Sequence, residues 1–169
     1  MRMVFSGLVA AGLLTSQVAG AACIPPNDRE ALDVAGLKTQ LMVVTLTCKT
    51  DSQYNAFINK FKPELNAEER TAHNYFAHAY GRAGQKRQDE YVTQLANTKS
   101  DAGLRQGNRF CAHNETIFDE VLALRNGKEL EEYAAGRATA APATMTSCSE
   151  SAERTARASA HTTTRRRRS

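Results

Sequence analysis

The chain has no tryptophan, and only four prolines and four cysteines in 169 residues. An uninterrupted apolar run of about 20 residues, the length needed to cross about 30 Å of hydrocarbon, is also missing, so no transmembrane segment is expected. There is no P-loop, no Rossmann glycine fingerprint and no G-x-S-x-G elbow. Gly81 and Gly84 form a lone break, not a phosphate loop. No C-x-x-C pair and no H-E-x-x-H helix occurs, which removes the common zinc frameworks. The lack of tryptophan weakens a carbohydrate-binding reading.

The N-terminus reads as a secretory leader. Arg2 supplies the positive end, Val4 to Leu14 the short apolar stretch, and Ala19 and Ala21 the small-residue cleavage pattern. Cleavage after Ala21 is expected, giving a leader over 1–21, a helical domain over 22–148 and a tail over 149–169. The domain is then expected to be periplasmic or secreted. Cys23 raises an alternative, a lipid anchor on that sulfur, but Gly20 stands where lipoprotein signals carry a leucine or similar residue.

Charge is unevenly placed. Residues 23–148 hold 15 Lys plus Arg against 16 Asp plus Glu, whereas the segment after Cys148 holds six arginines and two glutamates. The basic character belongs to the tail, so the folded body is not expected to bind nucleic acid. The tail has no apolar residue larger than alanine and is expected to be disordered. Its Arg165, Arg166, Arg167 and Arg168 offer weak contact with an anionic surface.

The body follows a helical period. Asn27 or Asp28 is expected to cap a first helix with Val34, Leu37, Leu41, Val44 and Cys48 on one stripe. Its apolar run, Leu41 to Leu46, marks it as the most buried element. Asp51 or Ser52 opens a second helix carrying Tyr54, Phe57 and Phe61, and Pro63 ends it or marks the next start. Asn66 opens a third, with Glu68 and Glu69 in its first turn. A fourth carries Tyr91, Val92 and Leu95 and ends near Ser100 to Gly103. A fifth runs from about Asn108, with Phe110, Ile117, Val121 and Leu124 inward. Asn126-Gly127 is a turn, and a sixth helix spans Glu129 to Ala135. Residues 138–145 form a loose connection. The expected fold is all-α: a small irregular bundle of about five to six helices stapled by two disulfides.

Four cysteines in an oxidising compartment imply two disulfides. Cys23 and Cys48 bracket a helix about 35 Å long, so they do not pair with each other. A fifth helix antiparallel to the first brings Cys111 to Cys48 and lets Cys148 return to Cys23. Cys48–Cys111 and Cys23–Cys148 are therefore the favoured pairs. A zinc site on Cys48, Cys111 and His113, or a Cys111 thiol activated by His113, would need sulfurs those bonds consume.

Other polar residues offer weaker sites. His73 and His78, five apart, lie about 140° round a helix from each other and do not face one metal. Glu69 stands four before His73 and is placed to pair with it. Glu115, Asp119 and Glu120 read as a solvated acidic face, with acid–base work the alternative. Tyr54, Phe57, Phe61, Tyr75, Phe76 and Tyr80 read as core, with a ligand groove the alternative. No cofactor is expected.

The stretch Leu37 to Cys48, the segment from Tyr54 to Phe61, Tyr75-Phe76, Tyr80-Gly81, Asp89 to Asn97 and Phe110-Cys111 together resemble a family of small exported alphaproteobacterial proteins. The similarity covers about Cys23 to Tyr133. It implies a helical secreted protein with cysteines in these places and brings no activity with it. The leading expectation is a non-enzymatic domain that binds or protects an envelope protein or ligand. The alternative is a small envelope hydrolase using His73, His78 or His113 with Glu115 or Asp119.

Overall fold

The computed structural model describes residues 23–107, 109–114, 116–137 and 148. The expected leader, the 138–145 connection, Asn108, Glu115 and the arginine tail lie outside the described residues. Those residues are all-α: α1 (Pro26–Cys48), α2 (Asp51–Lys60), α3 (Lys62–Tyr80), α4 (Gly84–Gln106), α5 (Arg109–Asn114), α6 (Thr116–Ala123) and α7 (Gly127–Gly136). A short 3-10 turn, Gly81–Ala83, joins α3 to α4.

α1 begins earlier than its expected cap. Pro25 is extended (ψ 151°) because a proline follows it, and Pro26 is already at the start of the helix. Proline suits that position because its missing N–H has no helical partner to lose. Asn27 and Asp28 thus sit inside the first turn rather than capping it. α1 ends where Lys49 turns left-handed (φ 61°) and donates its N–H to Thr45 O at 2.8 Å. Eleven of its 23 residues are buried, more than in any other described helix, although Leu46 is exposed.

α3 starts at Lys62, not at Asn66. Pro63 lies in its first turn, so the proline opens the helix. α4 runs past its expected end to Gln106 and stops at Gly107, whose φ of 55° reverses the chain. Gly103 stays helical with the Phe110 ring close against it. Val92 is 39 % exposed, beside the buried stripe that Gly84, Tyr91 and Leu95 form on α4. Asn126 caps α7, its side chain accepting from Glu129 N at 3.0 Å.

Two adjoining clusters form the core. The larger gathers Leu37, Leu41 and Val44 of α1 with Phe57, Phe61, Leu65, Phe118, Val121 and Leu130. The smaller holds Ile24, Ala31, Leu32, Ala72, Phe76, Tyr91 and Leu95. α1 runs through both and packs on α3, α4 and α7, while α6 packs on α2. By length and composition α1 could cross a membrane, which the sequence reading did not credit to any mature segment. However, 61 % of its most apolar window is buried, as in the core helix of a folded domain.

Candidate functional site

Both favoured disulfides are present. Cys48 and Cys111 have Cα atoms 5.6 Å apart, and Cys23 and Cys148 have theirs 4.7 Å apart. Cys148 N–H also donates to Ile24 O at 2.9 Å. The route behind the pairing differs from the one expected, since α7 rather than a long fifth helix lies along α1. The bonds take up the sulfurs that a zinc site or a catalytic thiol would need. They also occupy the Cys23 sulfur, to which a lipid would attach.

The histidines and carboxylates of the hydrolase alternative sit apart. His73 and His78 are exposed on α3, His113 on α5 and Asp119 on α6. His73 Nδ1 lies 3.0 Å from Gln88 Oε1, at a shallow polar groove lined by Asn66, Glu69, Arg70 and Gln85. Neither His113 nor Asp119 lines that groove. Glu69 pairs with Lys38 across to α1, at 3.4 Å, instead of with His73 on its own helix. Glu120 accepts the Tyr133 hydroxyl at 2.6 Å and pairs with Arg137. The Tyr133 bond, aided by Arg137, holds the Glu120 carboxyl below its ordinary value. That carboxylate ties α6 to α7.

The best-formed recess lies elsewhere. A cleft of about 220 Å³ opens where α1, α3 and α4 meet, with Tyr54 of α2 at its edge. Ala31, Val34, Met42, Leu65, Ala72 and Val92 make its apolar lining, drawn from both core clusters. Polar groups reach it from Lys38, Thr39, Glu68, Glu69 and Gln88. Thr39 is turned inward on its own helix, its hydroxyl donating to Ala35 O at 2.8 Å. Lys38 and Glu69 neutralise each other.

Glu68 is the odd group. Burial raises its pKa above the ordinary carboxylate value, and the charges of Glu131 and Glu30 add to the rise. Glu131 is raised in turn, first by burial and then by Glu30. Three helices thus bring carboxylates within range of one another, and none of the three has a salt bridge among the described residues. Of these three only Glu68 lines the recess, and an apolar recess with such a carboxylate at its wall suits a ligand carrying a cation on an apolar stem.

Sequence reasoning did not find this site. It read Glu68 as a charge suited to a helix start. The spacing of Gln88 and Val92, four apart on α4, was a signal for a second stripe beside Tyr91 and Leu95. Which neighbour that stripe would meet depends on the packing. Comparison with known protein families, with curated proteins and with solved structures returns no match.

Proposed function

We propose that the mature chain is a non-enzymatic binding domain of the cell envelope, periplasmic or secreted, with the α1–α3–α4 cleft as its ligand surface. The observation that carries this reading is the cleft itself, an apolar lining beside Glu68, which has no salt bridge among the described residues, on a helix, α1, that a disulfide anchors near each end. A recess pre-formed in this way binds without first ordering its walls. The leader pattern at Arg2, Ala19 and Ala21 and the use of all four cysteines in disulfides support an exported location. The Cys23–Cys148 bond favours a free, unlipidated domain. The hydrolase alternative has less support, since His73 reaches its groove without His113 or Asp119.

The test is site-specific photo-crosslinking in an envelope extract. A photoreactive phenylalanine analogue at Val92, beside the cleft, should capture a discrete species. The same analogue at Leu104, 82 % exposed and away from the cleft, should not. Glu68→Lys should abolish the capture. Equal capture from both positions, or none from Val92, would overturn the reading.

A further inference from the structure

We propose that the arginine-rich C-terminal segment, residues 149–169, docks in cis on the α1–α3–α4 cleft, with a guanidinium group against Glu68. This rests on the reading of that cleft as a binding surface and makes the tail its internal competitor.

The point of departure favours it. Cys148 is held at the N-terminal end of α1 by its bond to Cys23 and by its hydrogen bond to Ile24. The α1 lining of the cleft begins at Ala31, five residues after the helix start at Pro26, or about 8 Å along the axis. The tail therefore leaves the body beside the upper end of the recess.

Length allows it. Arg154 comes six residues after Cys148 and Arg165 seventeen, reaches of about 20 Å and about 55 Å for extended chain. From Ala31 to Met42 the cleft follows α1 for eleven residues, about 17 Å. The tail can cover that distance with slack.

Charge and shape select it. Six arginines meet a cleft lined by Glu68, a carboxylate with no salt bridge among the described residues. The methylene stem of an arginine can lie on Val34, Met42 and Val92 while its guanidinium stays at the rim. No other side chain of the tail combines a long stem with a positive end. Each such pair is weak by itself, but tethering supplies an effective concentration on the order of millimolar. Docking of this kind is sensitive to salt. A basic partner segment displaces the tail by competing for Glu68.

The test compares two full-length mature chains by NMR, one native and one with Arg154, Arg157, Arg165, Arg166, Arg167 and Arg168 all replaced by glutamine. At low salt, the amide and methyl signals of Lys38, Met42, Glu68, Ala72 and Val92 should differ between the chains. Signals of the deeply buried Phe57 and Phe118 should coincide, showing an unchanged fold. The cleft differences should collapse at about 0.5 M salt, and also when Glu68→Gln is made in both chains. Coincident cleft signals at low salt, or differences confined to another surface, overturn the proposal. Photo-crosslinking from Val92 in both chains separates this result from the binding reading. A several-fold stronger capture without the arginines supports both. Equal capture with coincident spectra leaves only the binding reading standing. Tail-dependent shifts with no capture from either chain leave only the docking.

Discussion

Tyr91 shows how one side chain can tie two helices. It is 5 % exposed, and its hydroxyl donates to Leu32 O of α1 at 3.0 Å. Burial first, and then the nearby Asp33 charge, keep the phenol well above its ordinary pKa, so it remains a donor at all physiological pH. Tyr91→Phe removes this bond and is expected to cost about 0.5–1.5 kcal/mol in chemical denaturation. An unchanged midpoint would show that the hydroxyl adds nothing to the α1–α4 contact. Glu68 also has a raised native pKa, but its titration lies on the acid side of neutrality. Between its unfolded value and that raised native value the unfolded chain binds fewer protons, so stability falls as pH rises through this window. In the chain without tail arginines, Glu68→Gln is therefore expected to be more stable than its parent at pH 7. The difference should vanish below the unfolded carboxylate range. Urea denaturation at both pH values checks it, and a difference that grew on acidification would reverse the assignment.

Helix contacts set the tolerance of two glycines. A Cβ on Gly84 would stand 2.7 Å from Phe76 O and 2.9 Å from Ala77 Cα, both backbone atoms of α3. A Cβ on Gly127 would meet Glu64 Cγ at 2.6 Å, part of a flexible side chain that can turn away. Gly84→Ala is expected to cost about 1–3 kcal/mol by forcing α3 and α4 apart. Gly127→Ala is expected to stay below about 1 kcal/mol. Thermal melts of the two variants, side by side, test the ranking. Because α3 and α4 both line the cleft, Gly84→Ala should also weaken capture from Val92. At the start of α7, Asn126→Ala removes the cap to Glu129 N and is expected to cost about 1 kcal/mol.

At the scale of the molecule, the disulfides dominate. Cys48–Cys111 spans 63 residues of sequence and Cys23–Cys148 spans 125. In the chain-entropy account these closures contribute about 4 and about 5 kcal/mol. Replacing either pair by serine should lower the unfolding free energy, read by urea denaturation, by an amount of that order. Intact mass should rise by four hydrogens on reduction, and non-reduced peptide maps should link Cys23 to Cys148 and Cys48 to Cys111. A lipid adduct on Cys23 would be incompatible with that map. The two bridges also differ in what they hold. Cys48–Cys111 ties the end of α1 to α5, whereas Cys23–Cys148 fixes where the basic tail leaves the body.

The all-α class, the pair of disulfides and most buried stripes were legible in the sequence, because helical periodicity and cysteine count are local or countable properties. Phe57, Phe61, Phe76 and Leu95 fell where their three- and four-residue spacing put them. Helix ends were less legible. Pro26 and Pro63 opened helices because a missing N–H costs nothing in a first turn, and Gly103 stayed helical because Phe110 packs on it. The cleft was not legible. Lys38, Glu68 and Val92 are separated by 24 or more residues along the chain, and their neighbourhood arises only when α1 docks between α3 and α4. Likewise, the Glu30, Glu68 and Glu131 repulsion exists only in the folded body. Sequence alone determined which residues avoid water and which sulfurs can bond. Tertiary packing decided which exposed residues stand together, because side-chain pattern specifies a helix face but not the partner that face meets.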